Sequence, residues 1–365
     1  MKTAYINAFP PQEFYQEGLN WGKKLHLLSD NTGNLLYVNE LKEQIDYDIE
    51  AWMGEYRYTT EEFSAGILPT SNILRRRCSC AEEWAPLIKS VNFPVTLAGI
   101  GAQSYADSKT PKEVVALLPD ERKQAFREIA EQTVSLGIRG GFTAECLELL
   151  GIHNYRIIGC PSFYKFWDGK CQEWPKPSLD KVTFNLAIGR RTHGYKILEW
   201  GESVNGEYIL QSSDEHPEVI FDNKEISKEF IEKEFFGYNK SAYDLTQFMK
   251  QHAHMFFGLQ DWKDYLISNR FTFSFGMRFH GNMISHLCGI PSLWIVHDSR
   301  TRELTETLKL PAIDYDDLPQ YKYIEEIIEK CNYNEMYKNY SRLYKEYVTY
   351  LNENGIKHKL IMKKE

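Results

Sequence analysis

Residues 271–302, FTFSFGMRFHGNMISHLCGIPSLWIVHDSRTR, decide the fold. An aromatic, β-prone run from Phe271 to Phe275 stops at Gly276. Asn282 to Cys288 has helical apolar spacing and closes at Gly289. A second apolar run, Leu293 to Val296, leads into another helix, Arg302 to Lys309, closed by Pro311. Strand, helix, strand and helix in direct succession predict parallel neighbours in a sheet covered on both faces.

The same alternation extends in both directions. Upstream lie strand-like Val182 to Ile188 ending at Gly189, Glu207 to Gln211 and Met255 to Phe257, with helical stretches Ala242 to Lys250 and Asp261 to Asn269 between them. Further upstream, Val95 to Ala98 runs into Gly99-Ile100-Gly101-Ala102-Gln103. Asp120 is placed to cap a helix with the stripe Phe126, Ile129, Ala130, Thr133 and Val134. A short strand to Arg139 follows, then a helix capped by Thr143 that stops at Gly151, then the strand Tyr155 to Ile158. Two such series predict an α/β protein of two Rossmann-like lobes facing across a cleft. The prolines in Trp174-Pro175-Lys176-Pro177-Ser178 place the boundary between an N-terminal lobe, 1–175, and a C-terminal lobe, 181–330. Tyr333, Met336, Tyr340, Leu343, Tyr344, Tyr347 and Leu351 recur at helical spacing, so 331–365 reads as an amphipathic helix packing back on the lobes.

Composition fits this picture. A chain of 365 residues exceeds what one core usually serves, and 42% apolar with 26% charged residues suits a folded protein. A net charge of −8 argues against a nucleic-acid partner. No apolar run is long enough to span a bilayer and Met1-Lys2-Thr3-Ala4 lacks a signal core, so a cytoplasmic location is expected. Seven scattered cysteines predict reduced thiols, and Arg75-Arg76-Arg77 reads as a solvated stretch.

In open α/β sheets, ligands bind where strand ends lead into helix starts. Three such places carry arginine: Gly276-Met277-Arg278-Phe279-His280-Gly281, His297-Asp298-Ser299-Arg300-Thr301-Arg302, and Ile138-Arg139-Gly140-Gly141-Phe142-Thr143. Guanidinium forks and helix-start amides together form an anion site, so the expected ligand is small and highly anionic. His280 sits between Gly276 and Gly281, whose missing side chains let a ligand approach the backbone, and an ordinary imidazole pKa suits proton transfer. Asp46-Tyr47-Asp48 and Asp314-Tyr315-Asp316 have metal–nucleotide spacing but read as solvated loops. His252 and His254 splay apart with no third ligand in spacing, and Gly99-Ile100-Gly101 lacks the third glycine of a dinucleotide fingerprint.

Ser274 to Leu304, SFGMRFHGNMISHLCGIPSLWIVHDSRTREL, resembles the polysaccharide pyruvyl transferase family: Arg-x-His-Gly after a strand, then Gly-Ile-Pro, then a basic residue beyond the next strand. Gly137 to Ser162, with its Arg139, and Asn31-Thr32-Gly33-Asn34 extend the resemblance over most of the chain. It implies a fold like the two-lobed glycosyltransferases and transfer of pyruvyl from phosphoenolpyruvate, as co-substrate without cofactor or metal, to two hydroxyls of a sugar in a polysaccharide or lipid-linked glycan precursor. Through that acceptor it implies peripheral contact with the inner membrane face. Carried onto this sequence, His280 is the catalytic residue. Arg139, Arg278, Arg300 and Gly281 bind the donor, with Arg190, Asn34 and Arg302 as further contacts to donor or acceptor. The N-terminal lobe is the acceptor side and the C-terminal lobe the donor side. Two departures stand out: Arg300 replaces the usual lysine, and Gly140-Gly141 follows Arg139 where an acidic residue is common. A nucleotide-sugar glycosyltransferase of the same fold and a non-catalytic glycan or anion binder are the alternatives.

Overall fold

The computed structural model describes residues 2–7, 18–52, 63–105, 109–165, 168–189 and 193–362. The first sheet holds β1 (Thr3–Asn7), β2 (Ile49–Trp52), β3 (Ala65–Pro69), β4 (Val95–Ile100), β5 (Leu136–Ile138) and β6 (Tyr155–Ile157) in the order β2-β1-β3-β4-β5-β6. The second holds β7 (Val182–Asn185), β8 (Glu207–Ile209), β9 (Ala253–His254), β10 (Phe273–Gly276), β11 (Ser292–Val296) and β12 (Ala312–Asp314) in the order β12-β11-β10-β7-β8-β9. Every pairing is parallel. Strand order reverses between β1 and β3 in one sheet and between β7 and β10 in the other. Each reversal opens a crevice at the carboxyl ends of its strands.

The strands form because their residues are apolar on both faces: Val95, Leu97, Ile100, Phe184, Phe273, Phe275, Leu293 and Ile295 have at most 1% of their surface exposed. The helix Asn334–Glu353 belongs to the core of the first lobe although it comes last in the chain. Tyr347 donates to Gln44 Oε1 at 2.7 Å, and Tyr350 and Thr96 share a hydrogen bond of 2.9 Å. The residue before this helix also meets the second sheet, where Tyr333 hydrogen-bonds both the amide (2.6 Å) and the carbonyl (2.9 Å) of Ser292. Trp174 pins the connection between the sheets by stacking on His286 with ring centres 4.0 Å apart.

Several local expectations are corrected. The edge strand is Ala253–His254 rather than Met255 to Phe257, whose aromatic rings instead cover the core beside it. Asp120 is the first residue of its helix, preceded by Pro119, and Thr143 is the third residue of the helix Gly141–Leu149; neither is an N-cap. His280, Arg300 and Arg302 lie in first helical turns, because the helices Phe279–Leu287 and Ser299–Leu308 start earlier than the apolar periodicity indicates. All seven cysteines are free thiols.

Candidate functional site

The two crevices face one another and enclose a cleft of about 370 Å³ lined by Tyr37, Asn72, Arg139, Arg278, His280 and Arg300, among others. Arg139 projects from the end of β5. Its side chain lies over Gly101, where a Cβ would come within 2.8 Å of Arg139 Cδ. One nitrogen, Nη1, donates to Asn72 Oδ1 at 2.6 Å, while buried Nε and Nη2 have no partner. The guanidinium is 2% exposed and touches no carboxylate within ion-pair distance among the described residues. Burial pulls its pKa down. A buried cation with two idle donors costs free energy unless an anion completes it.

Arg278 is different. Its Nε donates to the Leu186 carbonyl at 2.7 Å, and Nη2 meets Ser212 Oγ, Asp214 at 3.2 Å and Glu215 at 3.3 Å. Burial alone would lower its pKa, but the Glu215 and Asp214 carboxylates raise it. Arg278 lines the cleft with a guanidinium that is already paired, and its acidic partners come from a segment that sequence spacing does not connect to it. Arg300 reaches the same cleft and shares Asp298 Oδ2, with Nε and Nη2 each at 2.6 Å. Burial would raise the Asp298 carboxyl, yet His297, Arg300 and the Thr301 bonds hold it far below the usual carboxylate range.

His280, 9% exposed, packs between Tyr37 and Phe279 with ring centres 5.5 and 5.3 Å away. Its Nε2 lies 3.7 Å from Cys160 Sγ. Burial first, then the charges of Arg139 and Arg300, push its pKa down to about 3, so the near-neutral value expected from sequence is corrected. That shift favours the neutral imidazole over the charged one. Gly281 does not open the backbone to ligand as expected: a Cβ there would meet Gln211 Nε2 and come within 3.1 Å of Asn185 Nδ2, so protein side chains fill that space. At Gly276, where φ is +146°, a Cβ would strike the Asn185 carbonyl.

Asn34 lies on the cleft wall and donates to the Leu28 carbonyl at 2.8 Å. Arg302 points away, pairing with Asp314 in a neighbouring cavity of about 620 Å³, and Arg190 lies outside the described residues. Of the two aspartate triplets, Asp314 is occupied by Arg302, and Asp48 accepts the Thr3 amide at 2.6 Å and contacts Lys357 at 3.2 Å. His252 and His254 do not splay apart: both address Glu207, at 3.5 and 2.7 Å. Among the described residues no group of side chains is arranged to hold a metal ion.

Two contributors escaped sequence reading. Arg75, assigned to a solvated stretch, lines the cleft with a buried, unpartnered Nε and donates to Gln103 at 3.1 Å. Glu303 is 4% exposed and reaches from the helix Ser299–Leu308 of the second lobe to the start of the helix Gly141–Leu149. It accepts the Thr143 amide at 2.6 Å and the Thr143 hydroxyl at 2.9 Å. No periodic or motif signal links residues so far apart in sequence.

A family model of polysaccharide pyruvyl transferases matches residues 105–299. No curated protein matches the chain. Similar solved structures include an uncharacterized protein from Klebsiella pneumoniae (12% identity, 88% of this chain and 92% of that one, TM-score 0.41). Another is MnaA of S. aureus in a UDP co-structure (9%, 98% and 99%, 0.43). A third is the lipopolysaccharide outer core galactosyltransferase WaaB (10%, 96% and 99%, 0.38).

Proposed function

Because the chain belongs to the polysaccharide pyruvyl transferase family, we propose that it moves the three-carbon unit of phosphoenolpyruvate onto two hydroxyls of a glycan sugar, closing a pyruvate ketal and releasing phosphate. The observation that carries this reading is the buried guanidinium of Arg139, two of whose donors have no partner, in a cleft that His280 also lines. A carboxylate or phosphate placed there completes the hydrogen bonding of Arg139 and offsets its burial. Arg300 and the first-turn amides of the helix Phe279–Leu287 add positive potential on the other side. Arg278 serves mainly to fix the end of β10 against Asp214 and Glu215.

The neutral state of His280 suits a base. One sugar hydroxyl adds to C2 of the donor and its proton ends on C3; phosphate leaves with the electrons of its C–O bond, and the second hydroxyl closes the ketal and gives up its own proton. His280 accepts a hydroxyl proton during this sequence. Burial remains the larger cause of the low imidazole pKa, and donor charge offsets the lesser one, the field of Arg139 and Arg300, so the pKa rises as the proton arrives. The acceptor enters along the first-lobe wall, where Trp84 offers an aromatic face and Glu83 a carboxylate. A glycan or lipid-linked precursor reaches this wall from the cytoplasmic side of the membrane.

The test is direct: phosphate release and ketal formation on candidate glycans, together with thermal stabilisation by phosphoenolpyruvate against nucleotide sugars. Binding to the native state alone raises Tm. Stabilisation by a nucleotide sugar with none by phosphoenolpyruvate would replace this reading with a glycosyltransferase.

A further inference from the structure

The helix Gly141–Leu149 begins immediately after Arg139 and Gly140, yet it has no cap of its own. Gly140 occupies the N-cap position in extended backbone and makes no side-chain bond. The third-residue amide of a helix is one that an N-cap side chain ordinarily accepts. Here that amide belongs to Thr143, and it donates 2.6 Å to Glu303 Oε1 from the other lobe. The space a residue at position 140 would need is also taken: a Cβ there would meet Thr307 Oγ1 and come within 2.6 Å of Glu303 Cγ. Thr143 Oγ1 bonds Glu303 Oε2 at 2.9 Å and accepts the Ala102 amide at 2.8 Å, tying the exit of β4 into the same knot. The preceding residue, Gly101, lies directly under Arg139 Cδ.

We infer that Glu303 is a positioning residue which caps the helix Gly141–Leu149 from the opposite lobe and thereby holds Arg139 in its anion-binding pose. This rests on the pyruvyl-transfer reading only for the identity of the anion. The cap explains why glycine follows Arg139: any larger side chain at position 140 collides with the glutamate that replaces its function. Glu303 acts through Thr143, and it touches neither His280 nor the idle nitrogens of Arg139 among the described contacts.

The pattern of variants separates capping from general support. Glu303→Gln can accept the Thr143 amide through its carbonyl and donate to the Thr143 hydroxyl, so it should keep donor affinity within about 3-fold of wild type, less than one hydrogen bond's worth. Glu303→Ala leaves the amide and hydroxyl unmet, and the KM for phosphoenolpyruvate should rise roughly 10-fold or more, with kcat changing less. Thr143→Val, which removes the hydroxyl but keeps the shape, should raise KM by a smaller factor, and the double variant Glu303→Ala/Thr143→Val should add little to Glu303→Ala. Amide exchange, read by mass spectrometry over residues 141–146, should speed up in Glu303→Ala and not in Glu303→Gln.

If exchange and KM in Glu303→Ala match wild type, the inference is overturned. It is equally overturned if Gln and Ala variants lose activity alike, because a cap is rescued by an amide. Should Glu303→Ala not fold, Thr143→Val against Thr143→Ser decides it: serine keeps the hydroxyl and must restore KM. A wild-type protein indifferent to phosphoenolpyruvate would sink the pyruvyl-transfer reading alone. Exchange at 141–146 and the phenylglyoxal reactivity of Arg139, faster in Glu303→Ala if the cap sets its pose and unchanged if not, still judge Glu303.

Discussion

Arg139 and Arg278 look alike in sequence: each follows a strand and precedes a helix. In the structure one is buried with two unpartnered nitrogens and no carboxylate within ion-pair distance among the described residues, and the other is paired through Nη2 with Asp214 and Glu215 and bonded to Ser212. An arginine counts toward an anion site only by the hydrogen-bonding capacity its neighbours leave unused. Arg278 holds its loop; Arg139 awaits a ligand.

The sharpest way to break this comparison is to truncate both. Arg139→Ala should weaken phosphoenolpyruvate binding about 100-fold or more, the value of two charge-assisted hydrogen bonds, with little loss of stability because it gives up one hydrogen bond to Asn72 and leaves no carboxylate unpaired. Arg278→Ala should do the reverse. It removes the cation beside the Glu215 carboxylate, which is 2% exposed but keeps the Gln211 and Ser212 amides, and should lower unfolding free energy by about 1.5–3 kcal/mol while affinity in the folded fraction changes less. Calorimetric titration beside denaturant unfolding reads both; equal affinity losses would erase the distinction.

A second effect, smaller, concerns His280. Because burial and then Arg139 depress its pKa to about 3, its NMR resonances should not titrate between pH 5 and 8. Arg139→Met should move the pKa upward, though burial keeps it below the ordinary value. Titration near 6.5 in the wild type would mean that neither burial nor Arg139 governs the imidazole.

The third concerns stability against pH. His280 and His286, both pushed down to about 3 chiefly by burial, stay neutral when folded but take up protons when unfolded. They therefore make stability fall as pH drops below about 6.5. Glu303, raised to about 7 by burial, binds its proton more readily when folded, so it opposes that loss between about pH 7 and 4.5. Glu303→Gln removes the opposing group, and Tm should decline more steeply on acidification than in wild type. A shallower decline would reverse the assignment.

The smallest expected effect is none: chelation should leave phosphate release unchanged, because arginines and helix amides supply the positive charge. Loss of turnover restored by magnesium would put the aspartate triplets back in question.

Much of the architecture was legible because it rests on local signals. Both lobes follow from alternation of apolar runs with helical stripes, and Arg139, His280 and Arg300 were recognisable at strand ends that lead into helices. The unread part is what only folding brings together. Nothing near residue 278 announces Asp214 or Glu215, nothing near 143 announces Glu303, and Arg75 gave no sign that it would bond Gln103 and line a cleft. Helix starts were misplaced for a related reason. Thr143 has the chemistry of a cap, but with Glu303 of the other lobe accepting its amide the helix begins three residues earlier, after Gly140.

The helix Asn334–Glu353 carries a consequence for biosynthesis. Tyr350 lies on Gly137, where a Cβ would come within 2.9 Å of its ring, and Glu346 and Glu353 bind Arg156 at 3.0 and 2.7 Å. The first lobe is thus translated early but lacks one wall of its core until the last turns of this helix leave the ribosome. The second sheet, built from residues 182–314, emerges whole before that. Vectorial synthesis should therefore complete the later lobe first and leave the earlier one waiting, with its apolar face exposed to chaperones.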